Sequence, residues 1–203
     1  MNHFDAQAKT WDENPEKQLR AKIFAEAITN YIEPSGTEQA LEFGCGTGLL
    51  SFALKDAFKT ITLVDTSLGM IEVLRAKIKE QKIDHFKPIH IDLLQDSSGF
   101  QNLDVIFTLM TMHHIHELDK AFQVFKCILK TGGYLCIADL VAEDGSFHTP
   151  EMQFDGHLGF DKSQLTNQLE QHGFKVLHYS IPFTITKENG KDYPLFLMIA
   201  KSN

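Results

Sequence analysis

The sequence predicts an α/β domain: a doubly wound three-layer sandwich around a mainly parallel seven-stranded sheet with a C-terminal antiparallel hairpin. Three observations predict it. Short apolar runs alternate with stretches of helical spacing along most of the chain. Three glycines at alternate positions directly follow the first apolar run. The last two apolar runs are joined by a turn containing Glu188-Asn189-Gly190. Such alternation implies right-handed crossovers with helices on both sheet faces, and an Asn-Gly turn favours antiparallel pairing of the strands beside it.

The elements follow in order. Residues Pro15–Tyr31 have the spacing of an amphipathic helix, with Leu19, Ile23, Phe24, Ala27 and Ile28 on one face, ended by Pro34-Ser35-Gly36. Ala40–Phe43 is strand-like and Gly48–Phe58 is helical in spacing. Thr60–Val64 is a second strand, followed by a helix over Ser67–Lys82 that Thr66 or Ser67 can cap. Strands at Pro88–Leu93 and Asp104–Leu109 precede a helix over Leu118–Leu129, which Thr131-Gly132-Gly133 stops. Tyr134–Leu140 is the fifth strand. A helix from Lys162 to His172 closes at Gly173, and Lys175–Thr186 and Leu195–Lys201 form the terminal pair.

Composition narrows the class. The chain has 203 residues, 43% hydrophobic and 23% charged, which suits one soluble globular domain spanning 1–203. A net charge of −8 without a run of lysine or arginine argues against a nucleic-acid partner. The polar opening lacks the apolar centre of a secretory signal, and no apolar stretch approaches the roughly eighteen residues of a membrane span. Cys45, Cys127 and Cys136 form neither a C-x-x-C pair nor a disulfide framework, so a reduced, cytoplasmic setting is expected.

The glycines carry the chemistry. Gly44, Gly46 and Gly48 follow the first strand, at the edge where open α/β sheets hold ligands. The dinucleotide pattern G-x-G-x-x-G would need a glycine at 49, which is leucine. Glu42, just ahead of the turn, does not suit a pyrophosphate but helps bind a cation. Asp65 ends the second strand nineteen residues after Gly46, where a carboxylate accepts hydrogen bonds from both ribose hydroxyls. Together these features describe a nucleoside carrying positive charge in place of phosphates.

At this point the chain resembles the class I S-adenosylmethionine-dependent methyltransferases. The E-x-G-C-G-T-G segment is similar to their first motif, and Asp65 to the acidic residue ending their second strand. "HIDLL" (His90–Leu94) resembles the segment whose aspartate, here Asp92, hydrogen-bonds adenine. "LDVIFTLMTMHHI" (Leu103–Ile115) and "LKTGGYLCIADL" (Leu129–Leu140) resemble the fourth and fifth strands with their turns. "FDAQAKTWD" (Phe4–Asp12) resembles an F-D-x-x-A-x-x-[W/Y]-D opening that folds over the cofactor. The resemblance runs from Phe4 to the end of the chain. It implies a Rossmann-like fold with residues 1–34 as a helical cap and 142–161 as a substrate-side loop. The cofactor it implies is S-adenosylmethionine, held by Trp11, Glu42, Gly44, Cys45, Gly46, Gly48, Asp65, Thr66, Met70, Asp92, Leu93 and Leu109. Trp11 is read either as an aromatic wall beside the sulfonium or as a buried structural residue.

A sulfonium is already an activated methyl donor, so the protein mainly holds a nucleophile in line, about 3 Å from the methyl carbon. Thr108-Leu109-Met110-Thr111 stands where amino methylases of DNA carry an [N/D/S]-P-P-[Y/F] segment, and no cysteine follows a proline as cytosine methylases require. The resemblance therefore points to the small-molecule branch, with a small-molecule substrate and neither nucleic acid nor membrane as partner. Candidate catalytic residues come from two clusters. In His113-His114-Ile115-His116, His114 or His113 is expected to face the methyl group and another histidine to cap the following helix; no ligand spacing suggests a metal. In Phe147–Phe160, His148, Asp155 and His157 are candidates for substrate contact or base duty, while Phe147, Phe154 and Phe160 either exclude water or fill the core. Two rival readings stand beside this one: a non-catalytic S-adenosylmethionine-binding subunit, and a nicotinamide oxidoreductase, which the glycine spacing and Glu42 disfavour.

Overall fold

Seven strands form one sheet in the computed structural model, which describes residues 3–148 and 154–203: β1 (Gln39–Phe43), β2 (Thr60–Asp65), β3 (Phe86–His90), β4 (Leu103–Leu109), β5 (Leu129–Leu140), β6 (Phe174–Thr186) and β7 (Asp192–Ser202). Their order is β3-β2-β1-β4-β5-β7-β6. β1 to β5 pair parallel, and β7 runs antiparallel to both β5 and β6. This is the predicted seven-stranded sheet with its terminal hairpin. Strand order reverses between β1 and β4, and such a switch point opens a crevice at the carboxyl ends of the strands.

Two cores flank the sheet because successive strand residues point to opposite faces. Ala40, Val105 and Phe107 pack with α2 (Pro15–Ile32), α3 (Leu49–Ala53) and α4 (Leu68–Gln81) on one side. Leu41, Ile106 and Phe43 pack with α5 (Leu118–Ile128) and α6 (Lys162–Gln171) on the other. The central strands are buried on both faces, so they read as continuous apolar runs rather than alternating ones. A short helix α1 (His3–Gln7) and a 3-10 turn (Ala8–Glu13) precede α2, whose N-cap Asn14 accepts from the Glu16 and Lys17 N–H groups. No helix among the described residues is long and apolar enough to cross a membrane.

Four local expectations are corrected. Leu19 is 52% exposed; the inward stripe of α2 is Arg20, Ala21, Phe24, Ala25 and Ile28. Arg20 stands four residues before Phe24 and eight before Ile28, so helical geometry turns it inward with them. The helix expected to reach Phe58 is regular only over Leu49–Ala53. The third strand ends at His90, and Asp92 then starts a turn in which its carbonyl accepts from Gln95 and Asp96 N–H. No histidine caps α5: its N-cap is Glu117, without a side-chain bond.

Candidate functional site

The β1–α3 turn is built by backbone geometry. Gly44, Gly46 and Gly48 all have left-handed φ, at +67°, +52° and +83°, a region costly for other residues. The Gly44 and Cys45 N–H groups both donate to the Val64 carbonyl at 3.0 Å, drawing the turn against the end of β2. A Cβ at Gly44 would stand 2.1 Å from Thr111 Cγ2, so this glycine is required by close packing. A Cβ at Gly46 would meet nothing nearer than Met70 Sδ at 3.9 Å and Trp11 Nε1 at 4.0 Å. Gly46 thus borders open space, and packing does not explain it. Gly48 differs from both: it starts α3 and packs on Leu63 and Leu74.

That open space belongs to a cavity of about 640 Å³ at the carboxyl ends of β1, β2 and β4. Of the expected cofactor set, Trp11, Glu42, Gly44, Cys45, Gly46, Asp65, Thr66, Met70 and Leu109 line it. Gly48, Asp92 and Leu93 do not. Asp92 is exposed and accepts from the Leu94 N–H at 3.0 Å, Leu93 is buried in the second core, and Ile91 faces the cavity instead.

Asp65 anchors the floor. Its Oδ2 accepts from Gly46 N–H at 2.7 Å and its Oδ1 from Ser67 N–H at 2.8 Å. Burial raises its pKa above the ordinary carboxylate value, against the pull of those N–H donors. Glu42 is more deeply enclosed. It accepts from the Ser51 hydroxyl and, at 3.2 Å, from the Ser51 N–H. Burial pushes its pKa up to about 8, so the carboxylate expected from sequence is predominantly a neutral acid at pH 7 in the ligand-free fold.

The opening segment covers this floor through its two aspartates. Asp5 accepts from Ser67 Oγ at 2.6 Å and from Gly69 N–H at 3.0 Å, at the start of α4. Asp12 accepts from Thr47 Oγ1 and from Lys77 Nζ, both at 2.5 Å, tying the segment to the glycine turn. Ala8 is buried between them and Phe4 and Trp11 face the cavity. The Trp11 ring already carries a cation: Lys17 Nζ lies 3.1 Å from its centroid. Burial, reinforced by neighbouring Arg20, lowers the Lys17 pKa to about 8.

The opposite wall holds the histidines. His113 and His114 end the 3-10 turn Met112–His114, which follows β4, and both line the cavity together with His148. His113 is buried; its Nδ1 lies 2.6 Å from Asp139 Oδ1 and its N–H donates to Asp139 Oδ2 at 3.2 Å. Burial alone would raise the Asp139 pKa, but His113 and the Leu140 N–H outweigh it and hold it below the ordinary value. His148 stacks on Phe154 at 3.6 Å. One ring nitrogen from each of His113, His114 and His148 lies within 4.8 Å of the others. The sequence offered no converging ligand for the histidine run; the loop after β5 supplies one.

The remaining candidates fall elsewhere. His157 is held by backbone, with Nε2 2.9 Å from the Ile115 carbonyl and its N–H donating to the His113 carbonyl at 2.7 Å. Asp155 is largely exposed, 3.8 Å from His116. Neither lines the cavity, because these bonds pin the segment behind the His113 backbone. Phe147 and Phe160 are buried in the two cores, while Phe154 serves the His148 ring. Residues 149–153 of the substrate-side loop lie outside the described residues, as do residues 1–2 of the cap. Arg20, at the cavity wall, and Asp139, behind His113, are not singled out by the sequence alone. The signs were an arginine in phase with Phe24 and Ile28, and an aspartate inside an apolar strand.

Comparisons with known proteins agree with this geometry. A family profile described as "Methyltransferase domain" matches residues 41–135. An uncharacterized methyltransferase of Schizosaccharomyces pombe is 30% identical over 128 residues, covering 60% of this chain and 45% of the relative. The ubiquinone biosynthesis O-methyltransferase of Xanthomonas axonopodis pv. citri is 25% identical over 153 residues, covering 72% of this chain and 63% of the relative. Residues 41–135 thus carry a methyltransferase-domain match, and the chain is similar to methyltransferases over a longer stretch. Among solved structures, a SAM-dependent methyltransferase from Aquifex aeolicus shares the fold, with a TM-score of 0.70 at 16% identity, covering 97% of this chain and 98% of that one. The chain spans 45% and 63% of the two curated relatives.

S-adenosylmethionine fits the residues present. The space beside Gly46, the Asp65 carboxylate and the Trp11 side chain meet in one cavity whose volume falls within the usual roughly 300–1,000 Å³ of small-ligand sites.

Proposed function

We propose that this chain transfers the methyl group of S-adenosylmethionine to a small-molecule acceptor by in-line displacement. The observation that carries the reading is Asp65: a buried carboxylate bonded to the glycine turn and facing a cavity with room for ribose hydroxyls. When bound, the cofactor supplies a methyl group on a positively charged sulfur. Asp65 accepts from the sugar, Gly44 and Gly46 admit close approach, and Met70, Thr66 and Leu109 enclose the nucleoside. Asp92 and Leu93 belong to this reading at the adenine end, just beyond Ile91. Arg20 and Lys17 supply positive charge for a carboxylate, and Glu42, once ionised, faces a cation. His113, oriented by Asp139, and His114 stand at the acceptor end.

A small acceptor suits a cavity roofed by the opening segment on one side and by Phe147 and His148 on the other. The name of the Xanthomonas relative also points toward small-molecule chemistry. On this reading residues 1–203 form one domain, with 1–34 as its cap and 142–161 on the substrate side.

Calorimetry on the purified chain tests it. Both S-adenosylmethionine and S-adenosylhomocysteine are expected to bind, and Asp65→Ala to weaken each by roughly 10-fold or more, the loss of one charged hydrogen-bond partner. No heat from either compound, or unchanged affinity in the variant, overturns the reading. Transfer of methyl label into a small-molecule extract rather than into protein or nucleic acid tests the acceptor class.

A further inference from the structure

We infer that His113, His114 and His148 form a site for a zinc-class divalent ion, with one coordination position open to the acceptor. The inference rests on the methyltransferase reading only for what enters that open position.

The donor atoms already converge. One nitrogen from each ring lies within 4.8 Å of the others, whereas metal–nitrogen bonds of about 2.0–2.1 Å in tetrahedral geometry place ligands roughly 3.3 Å apart. Closing that gap takes small side-chain rotations. His113 is prepared for the role: with Nδ1 against the buried carboxylate of Asp139, its Nε2 lone pair is presented away from that contact. A carboxylate behind a histidine is the arrangement that orients metal-binding imidazoles and raises their basicity. Asp139 also supplies buried negative charge against the incoming ion.

His148 gives the independent sign. Its Nδ1 is buried and finds no hydrogen-bond partner among the described residues, and such orphaned polar atoms call for an explanation. Its ring is clamped by Phe154. Three imidazole nitrogens suit zinc and its neighbours rather than magnesium or calcium, which take oxygen ligands. Three protein ligands with a fourth position open is the pattern of catalytic rather than structural zinc. Arg20 and Lys187 line the same cavity, so the acceptor class that fits carries an ionisable oxygen or sulfur whose negative charge both the ion and these cations stabilise.

The test is titration of the full chain, stripped with chelator and free of S-adenosylmethionine, with Co²⁺ and then Zn²⁺. One equivalent of Co²⁺ is expected to bind with the intense absorption of a four-coordinate site, and Zn²⁺ to displace it. Asp139→Asn should weaken binding about 10- to 100-fold, the usual cost of losing an outer partner. His148→Ala and His114→Ala, which remove a ligand outright, should weaken it at least as much. Melting curves of each variant confirm folding. Failure of the wild-type chain to bind either ion, or binding that survives both alanine variants, overturns the inference. Ion binding without any S-adenosylhomocysteine binding would support the metal site while removing the cofactor reading.

Discussion

Gly44 and Gly46 are separated by one residue and share a backbone conformation, yet they answer to different demands. At Gly44 a methyl group would strike the Thr111 side chain, whereas at Gly46 it would enter the cavity. Both alanine substitutions incur about 1–2 kcal/mol for a left-handed backbone, but only Gly44→Ala adds overlap with a packed neighbour. Gly44→Ala is therefore expected to lower Tm by several degrees more than Gly46→Ala, which should instead show the larger loss of cofactor affinity relative to its stability change. Equal melting temperatures would contradict the assignment. The glycine turn and Asp65 were legible in the sequence because each depends on local spacing: three glycines after a strand, and a carboxylate at the end of the next. Arg20 and Asp139 were visible only as polar residues at apolar positions.

At the scale of elements, the opening segment is tied to the cavity floor through the side chains of Asp5 and Asp12. Asp12 joins Thr47 and Lys77, whose side chain is 20% exposed against 30% for Asp12. An ion pair this accessible contributes on the order of 1 kcal/mol or less to stability. Asp12→Ala should accordingly leave Tm nearly unchanged, weaken cofactor binding several-fold and speed tryptic cleavage after Lys9. Unchanged affinity together with unchanged cleavage would show that the segment does not act as a lid. The order of helices and strands follows the sequence, but α3 stops five residues before the expected Phe58 and β5 starts at Leu129, five residues before the expected Tyr134. Leu19 faces outward because Arg20, in phase with Phe24 and Ile28, takes the inward position, and α3 ends where the Leu54 N–H meets the Leu50 and Ser51 carbonyls.

For the whole molecule, Glu42 links the fold to pH. Its pKa rises from an ordinary 4.5 to about 8 on burial beside Ser51, Asp65 and Lys77. A group whose folded pKa is raised contributes stability that is complete below the unfolded value and lost as pH climbs through the folded one. The ligand-free protein should therefore lose stability between about pH 4.5 and 8 through this group, and Glu42→Gln should flatten that slope in melting curves recorded across the window. A bound cation favours the ionised form, so binding near neutral pH should release a fraction of a proton, read by calorimetry in buffers of different ionisation enthalpy. A slope and a proton release that persist in Glu42→Gln would assign both to another group.

The sequence by itself determined the α/β alternation, the terminal hairpin, the glycine turn with Asp65, and the opening motif, because each is written in contiguous spacing that backbone geometry reads directly. Only the tertiary structure decided that Arg20 turns toward the cavity, that Asp139 backs His113, that Asp155 and His157 do not line the cavity, and that His148 meets His113 and His114. Those meetings join residues on separate elements, and their distances are set by sheet order and by packing across the β4 and β5 ends, which no local pattern fixes.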